Sequence, residues 1–397
     1  MLDFQRGILA LLKSAMDHTK AVLPENFDWE KAIAYGKRHQ ILGLLYCGCK
    51  NSQIEAPLEI ASFLKMALLK SAAVEQRQNY YIEKMFSLFR QNNIDFMPLK
   101  GVNLRKYYPE SGTRTMGDCD VLINMSQYEK TREIMQELGF EEKVETDHEL
   151  VWELPDQLKV ELHKRVVSKV NADFYRYFGD GWRLAKEKVN DSSQYQMKNE
   201  DALIYNFAHM AKHYRNGGIG IRHILDIYVI MNKYPNLDFA YIDGELKKLK
   251  LFDFFYNVLH TIDVWFNGKE TDEMSDWITN YIFSSGSFGT AKNHSISNVV
   301  KEMKTAKSAK FLRLKRLIDI VFLPYTGMCV KYPVVKKVPV LLPIMWVVRW
   351  VEIALKGKRH IAARADVSIK SLSANNVETF QDSLHYVGLD FNFEEKT

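Results

Sequence analysis

Cysteines are scarce in this sequence, and nothing in their spacing suggests that they pair. The four that occur are Cys47, Cys49, Cys119 and Cys329, and no two of them form a C-x-x-C motif. Disulfide frameworks and structural zinc sites need such repeated spacing, so the sequence predicts neither of them. We expect reduced thiols in a cytoplasmic protein.

Long apolar runs are absent as well. The most apolar stretch, residues 338–348, is interrupted by Pro339 and Pro343. A membrane-spanning helix needs about 20 apolar residues, so no such helix is expected. Residues 1–20 mix acids and bases at helical spacing and lack the basic start, apolar block and cleavage site of a signal peptide.

A strong charge of one sign is also missing, since 54 lysines and arginines are opposed by 49 acids over 397 residues. This near balance argues against long nucleic acid as a partner, because grooves for nucleic acid carry denser positive charge. Residues 330–360 do combine tryptophans with lysines. We interpret them as a core helix with a basic end, the alternative being peripheral contact with an anionic membrane.

The spacing of apolar residues divides the chain into regions. In residues 1–92 they recur every three or four positions, which predicts an N-terminal helical region. In residues 93–195 short alternating runs between turns predict a small mixed sheet with helices. The helical period returns in residues 196–360, predicting a C-terminal helical domain, and residues 361–397 form a polar tail that we expect to be partly disordered. The predicted fold class is therefore α+β.

Local signals give a finer prediction within these regions. Strands are expected near residues 94–99, 118–123, 140–145, 150–154 and 158–163. Ser126 and Glu129 have the spacing of a capping box, and the helix they open should stop at Gly139. One continuous helix is expected over residues 241–266, and a short one at residues 377–387.

Three carboxylates are predicted to share one face of the sheet. Asp118 and Asp120 are two residues apart, so their side chains project from the same side of a strand. Glu161 alternates with Val160 and Leu162 in a later strand. Clustered acids repel each other unless cations neutralise them, and hard oxygen ligands suit Mg²⁺ or Mn²⁺. The alternative to metal binding is that the three residues are ordinary solvated acids at strand ends.

The motifs around these acids resemble those of a known enzyme superfamily. The matching residues are Leu99-Lys100-Gly101, Tyr107-Tyr108, Arg114, Met116-Gly117-Asp118-Cys119-Asp120-Val121-Leu122-Ile123 and Val160-Glu161-Leu162-His163. They resemble the polymerase-beta-like nucleotidyltransferases, in particular a bacterial family of uncharacterised nucleotidyltransferases. The similarity extends to His209, Lys212-His213 and Arg222-His223-Ile224-Leu225-Asp226 and covers most of residues 35 to 350.

The resemblance implies an activity and roles for single residues. It implies transfer of a nucleoside monophosphate from an NTP such as ATP to an acceptor, with release of pyrophosphate. Asp118, Asp120 and Glu161 would hold the metal ions, and Glu161 can also act as a base in such enzymes. Lys100, Gly101 and Arg114 would contact the triphosphate. The acceptor is not readable from the sequence: it could be a small molecule, a protein hydroxyl or an RNA end, the weak overall charge making nucleic acid the least expected.

Each further residue also has a structural alternative. The residues assigned to the substrate side are His163, His209, His213, Arg222 and Asp226. His163 could instead orient a carboxylate, His209 and His213 could be core histidines, and Arg222 could pair with Asp226 along one helix. Val102 stands where the superfamily usually has Gly or Ser, which keeps open a catalytically degenerate nucleotide-binding or interaction module.

Overall fold

A computed structural model describes residues 1–286, 289, 293–294, 296–297, 318–319, 321–355 and 374–389. The chain divides into two compact units. The first comprises Met1–His213, Ile219–Phe288 and Val387–Thr397, and the second comprises Tyr214–Gly218 and Gly289–Tyr386. Most of the predicted polar tail, residues 361–373 and 390–397, lies outside the described residues. The domain boundaries expected from the sequence stay predictions.

The first unit begins with helices, as the apolar spacing predicts. They are α1 (Asp3–Asp17), α2 (Trp29–His39), α3 (Leu42–Ser52) and α4 (Leu58–Gln91). The end of α4 packs on the sheet that follows, through Ile82, Met85, Phe86 and Phe89. The apolar side of α4, which follows from the helical spacing of its apolar residues, thus covers one face of the sheet.

The sheet has five strands in a mixed arrangement. They are β1 (Phe96–Pro98), β2 (Cys119–Ile123), β3 (Glu141–Glu145), β4 (Glu149–Leu154) and β5 (Leu158–His163). Their order across the sheet is β1-β2-β5-β4-β3, and β2 and β5 run parallel while the other neighbours are antiparallel. Together with the flanking helices, this mixed sheet confirms the predicted α+β class.

Strand register brings distant polar residues side by side. In the parallel pair of β2 and β5, Asp120 lies directly opposite Glu161. In the antiparallel pair of β4 and β5, Glu149 lies opposite His163. The odd positions of β2, Cys119, Val121 and Ile123, belong to the hydrophobic core. Alternation therefore directs Asp120 away from that core.

Two short helices connect the strands of this core. Helix α5 (Gly101–Leu104) follows β1, and α6 (Tyr128–Glu137) packs Ile134 and Met135 against the sheet. The capping box predicted at Ser126 is wrong, because the Asn124 side chain accepts a hydrogen bond from the Ser126 backbone N–H at 3.1 Å. The predicted stop at Gly139 is confirmed, since α6 ends at Glu137 and Gly139 has a φ of +84°.

Helices dominate the rest of the first unit. After α7 (Ala172–Phe178) and a two-stranded ribbon of β6 (Glu187–Lys188) and β7 (Tyr195–Gln196), the chain forms α8 (Asn199–Asn216), α9 (Ile221–Lys233), α10 (Phe239–Lys248), α11 (Phe252–Phe266) and α12 (Glu273–Ser285). The last three residues of α8 are counted with the second unit. The single helix predicted over residues 241–266 is wrong. It breaks where Lys250 adopts a φ of +56°, which lets Leu249 and Leu251 both be buried.

The second unit is described only in part. Its helices include Tyr325–Lys331, Val334–Lys337, Leu342–Leu355 and Ala374–Tyr386. The last one confirms the short helix predicted near residues 377–387. Among the described residues, none of the helices has the length and apolarity that crossing a membrane requires. Residues 356–360 of the basic stretch lie outside the description.

Candidate active site

The site is built on the middle of the sheet, where β2 and β5 run parallel. Asp120 is buried and lies opposite Glu161, whose side chain is 14 % exposed. Asp118 comes just before β2 and is 42 % exposed. Asp120 and Glu161 therefore come together at the bottom of the site. Asp118 lies at its solvent edge and is not among the ligand atoms that lie within 4.8 Å of one another.

Lys100 reaches the deepest of these acids. Its Nζ lies 2.7 Å from Oδ1 of Asp120. Burial alone would raise the pKa of Asp120, but the charge of Lys100 and a hydrogen bond from His163 outweigh it and hold this pKa well below its usual range. Lys100 has a φ of +48°, a conformation that costs a non-glycine residue free energy and recurs at functional sites.

A second lysine, which the sequence did not single out, bridges the other two acids. Nζ of Lys159 lies 3.5 Å from Oδ2 of Asp118 and 2.5 Å from Oε1 of Glu161. Burial and the charge of Asp118 nevertheless raise the pKa of Glu161 above its ordinary value, with Lys159 opposing them. Two ammonium groups thus offset part of the negative charge of three carboxylates, which would otherwise be costly to bury.

His163 completes the cluster from β5. Its side chain is 2 % exposed, and Nε2 lies 2.8 Å from Oδ1 of Asp120 and 3.9 Å from Oε2 of Glu161. Burial lowers the pKa of His163, which favours the neutral imidazole. One ligand atom from each of Asp120, Glu161 and His163 lies within 4.8 Å of the others. This set of two carboxylates and one imidazole fits a divalent cation such as Mn²⁺.

Gly101 is required by a close approach. A Cβ at this position would lie 2.8 Å from Nη1 of Arg114 and 3.2 Å from Cγ of Met116. The neighbouring Val102, by contrast, packs its side chain against the hydrophobic core under the sheet. The valine that stands here in place of the usual small residue thus contributes to the hydrophobic core.

Arg114 and Asp226, predicted as separate contacts, are bound to each other. Nε and Nη2 of Arg114 donate to the two carboxylate oxygens of Asp226, both at 2.8 Å, and the hydroxyl of Tyr108 donates to the same carboxylate at 2.8 Å. Arg222 donates to the Thr115 carbonyl oxygen at 3.1 Å. These contacts fasten the loop that leads into Asp118 to helix α9, and they use Asp226 differently from the intrahelical pair considered above.

His209 and His213 lie one turn apart on α8, with ring centroids 4.5 Å apart. Burial lowers the pKa of His209 well below its ordinary value. Neither residue belongs to a group of metal-ligating side chains within the described part of the chain. His209 lines a small cavity together with Tyr205 and Lys212, whereas His213 does not line that cavity.

The sequence drew attention to Lys212 only as the neighbour of His213. In the structure it is a cation near the carboxylate cluster whose pKa is lowered. Burial and the charge of Lys100 lower its pKa to about 8, while Asp120, Glu149 and Glu161 act in the opposite direction. Among the described residues, no carboxylate oxygen lies within 4.0 Å of its Nζ. The lowered pKa of Lys212 could not be predicted from the sequence, because the charged groups that act on it lie on other elements of the structure.

Comparison with known proteins places the chain in a family. A family model described as uncharacterised nucleotidyltransferase matches residues 25–267, more than half of the chain. The match runs from before α2 to the end of α11 and contains every site residue described above. Neither the curated proteins nor the solved structures gave a match. The chain therefore belongs to the family of uncharacterised nucleotidyltransferases.

Proposed function

We propose that this protein is a metal-dependent nucleotidyltransferase of the polymerase-beta-like kind, as found in bacteria. It would move a nucleoside monophosphate from an NTP to an acceptor and release pyrophosphate. The observation that carries the proposal is the register of Asp120 against Glu161 on adjacent parallel strands. Asp118 at the exposed edge of the same cluster gives a substrate access to the acids.

The residues that would hold the metal are Asp118, Asp120 and Glu161, while Nε2 of His163 would donate to Asp120 and orient its carboxylate. The carboxylate oxygens fit Mg²⁺ or Mn²⁺. When bound, such ions lower the pKa of the attacking oxygen and neutralise charge on the leaving group. Lys100 and Lys159 contact the same acids, and their ammonium groups would lie beside the phosphates of a bound triphosphate.

Glu161 is suited to accept the acceptor's proton. Its pKa is raised by burial and by Asp118, so it is the most basic of the acids whose pKa is shifted in this cluster. In the proposed step, the acceptor oxygen forms a bond to the α-phosphorus while the bond from that phosphorus to the pyrophosphate oxygen breaks. The hydroxyl proton passes to Glu161, and pyrophosphate leaves with its electron pair.

Lys212 provides a cation for the phosphates. Its charge is disfavoured by burial and by Lys100 and is not compensated by an ion pair with a described carboxylate. A triphosphate would supply the missing negative charge and raise the pKa of Lys212. Arg114, which is held by Asp226, would instead position the loop before Asp118.

The same fold without catalysis is the second candidate, and one observation favours it. The buried ion pair between Lys100 and Asp120 satisfies the deepest acid without any metal. In that case nucleotide binds and no bond is made. The acceptor under the first candidate is a small molecule or a protein, since the near-neutral charge disfavours long nucleic acid.

Labelled nucleotides separate the two candidates. The full chain is incubated with ATP, GTP, CTP or UTP labelled at the α-phosphate, with Mg²⁺ or Mn²⁺, and with metabolite and protein fractions of a cell extract as acceptors. Label on an acceptor together with free pyrophosphate supports transfer. Saturable nucleotide binding without either product supports the degenerate module and contradicts the proposal.

A further inference from the structure

We propose that His148, Glu149 and His163 form a second metal site, adjacent to the carboxylate cluster and sharing His163 with it, for a cation that prefers nitrogen ligands, such as Zn²⁺. His148 immediately precedes β4, Glu149 is the first residue of β4, and Glu149 is opposite His163 at the end of β5. One ligand atom from each of the three lies within 4.8 Å of the others. This site goes beyond nucleotide transfer, and its test needs no transfer activity.

His148 is prepared as a ligand by a neighbouring acid. Its Nδ1 lies 3.2 Å from Oδ1 of Asp147, and also 3.2 Å from Oγ1 of Thr146. Asp147 is itself fixed, since it accepts hydrogen bonds from Ser168 Oγ at 2.9 Å and from the Lys169 N–H at 3.0 Å. A carboxylate that accepts the Nδ1 proton leaves the lone pair on Nε2, as in many metal-bound histidines.

Nε2 of His148, the ring nitrogen that does not face Asp147, lies beside the second proposed ligand, Glu149. Its Nε2 lies 2.9 Å from Oε2 of Glu149, and both side chains are largely but not fully buried, at 22 % and 17 % exposure. A cation between them would turn this contact into two coordination bonds.

His163 supplies the independent observation. Its Nε2 is used by Asp120, and its Nδ1 is buried and has no hydrogen-bond partner within the described part of the protein. A buried ring nitrogen is ordinarily paired, so this one needs a ligand, for example a cation. Asp120 accepting the Nε2 proton would leave the lone pair on Nδ1, the same logic as for His148 and Asp147.

The donor set decides the kind of metal. Two imidazole nitrogens and one carboxylate suit Zn²⁺ or a neighbouring transition metal, whereas Mg²⁺ prefers oxygen ligands. Because His163 also contacts Asp120, a cation on its Nδ1 would fix the Nε2 proton toward the carboxylate cluster. The second site would thereby position Asp120.

Zinc binding to the full chain tests the proposal. We expect calorimetry to detect a Zn²⁺ site, and X-ray absorption at the zinc edge to detect two imidazole ligands. His148→Asn and Glu149→Gln should each weaken that site by about tenfold or more. His260→Asn is the matched control, because His260 Nε2 lies 3.0 Å from Oδ2 of Asp272 outside the proposed site, and it should bind zinc like the wild type.

Contrary outcomes are equally specific. Absence of zinc binding, coordination by sulfur or by oxygen alone, or unchanged affinity in His148→Asn would overturn the proposal. Should a variant fail to fold, nitrogen NMR of the wild-type imidazoles decides. Zinc must shift the resonance of His163 Nδ1, and an unmoved resonance would mean that the ion binds elsewhere.

Discussion

The ammonium group of Lys100 lies 2.7 Å from Oδ1 of Asp120, with both side chains largely removed from solvent. The residue next to the turn glycine therefore binds the same carboxylate that a metal ion would need. Lys159 does the same for Asp118 and Glu161. A metal ion would have to displace these lysines, and this competition can be measured.

Replacing Lys100 by Met should destabilise the protein, because it leaves Asp120 buried without its strongest partner. Breaking a buried ion pair from one side costs about 3–5 kcal/mol. Saturating Mn²⁺ should restore part of the free energy of unfolding, more than it adds to the wild type. Thermal unfolding with and without Mn²⁺ measures this. Lys50→Met, which breaks an exposed pair with Glu110, should change little. Equal losses with and without Mn²⁺ would mean that no cation replaces Lys100.

Gly101→Ala and Gly117→Ala should differ sharply although both flank the site. A Cβ on Gly101 meets Nη1 of Arg114 at 2.8 Å, whereas a Cβ on Gly117 meets nothing within 4 Å. Overpacking of this kind costs about 1–3 kcal/mol. We expect that loss for Gly101→Ala in denaturant unfolding, and little change for Gly117→Ala. Two variants of equal stability would show that Arg114 moves aside freely.

Lys212 predicts a pH dependence of nucleotide binding. Its pKa in the free protein is lowered to about 8, and a bound triphosphate should raise it. Below that pH the lysine is charged with or without nucleotide, so affinity is highest there. As pH rises through about 8, binding must take up a proton and should weaken. Calorimetry in buffers of different ionisation enthalpy measures this uptake, and Lys212→Met should abolish it. Undiminished uptake in that variant would assign the proton to another group.

Glu161→Gln should separate stability from activity. Because the pKa of Glu161 is raised in the folded protein, its ionised form opposes folding at pH values above that pKa. The neutral glutamine removes this penalty, so the variant should be at least as stable as the wild type at neutral pH. Loss of a general base should slow transfer by about 10²–10⁴-fold. A stable variant with full transfer activity would exclude Glu161 as the base.

Side-chain alternation along single strands made part of the site predictable from the sequence. Alternation in two short strands predicted that Asp118 and Asp120 share a face and that Glu161 could join them. The parallel pairing that sets Asp120 opposite Glu161 was not predicted. The helices and strands around them were predicted for the same reason. Local patterns were wrong where one turn decides the outcome, as at Lys250 and at Asn124, and they gave no prediction of α7 or of the β6–β7 ribbon.

Contacts between distant segments could not be predicted in this way. Arg114 meets Asp226, 112 residues away, and nothing in either segment distinguishes this pair from a phosphate contact. Lys159 and Lys212 looked like ordinary polar positions of a strand and a helix. Their importance comes from the acids that the fold places beside them, and those acids lie on other segments of the chain.

Asp118→Asn gives the most direct test of the central claim, that the three carboxylates hold the metal for nucleotidyl transfer. Asp118 is 42 % exposed, so the substitution should leave stability within about 0.5 kcal/mol. Glu141→Gln, an exposed acid on β3, serves as the control. The measurement is metal-dependent release of pyrophosphate from α-labelled NTP with label transferred to acceptor. We predict a loss of about 100-fold or more for Asp118→Asn and none for Glu141→Gln. Wild-type transfer in a folded Asp118→Asn protein would contradict the account.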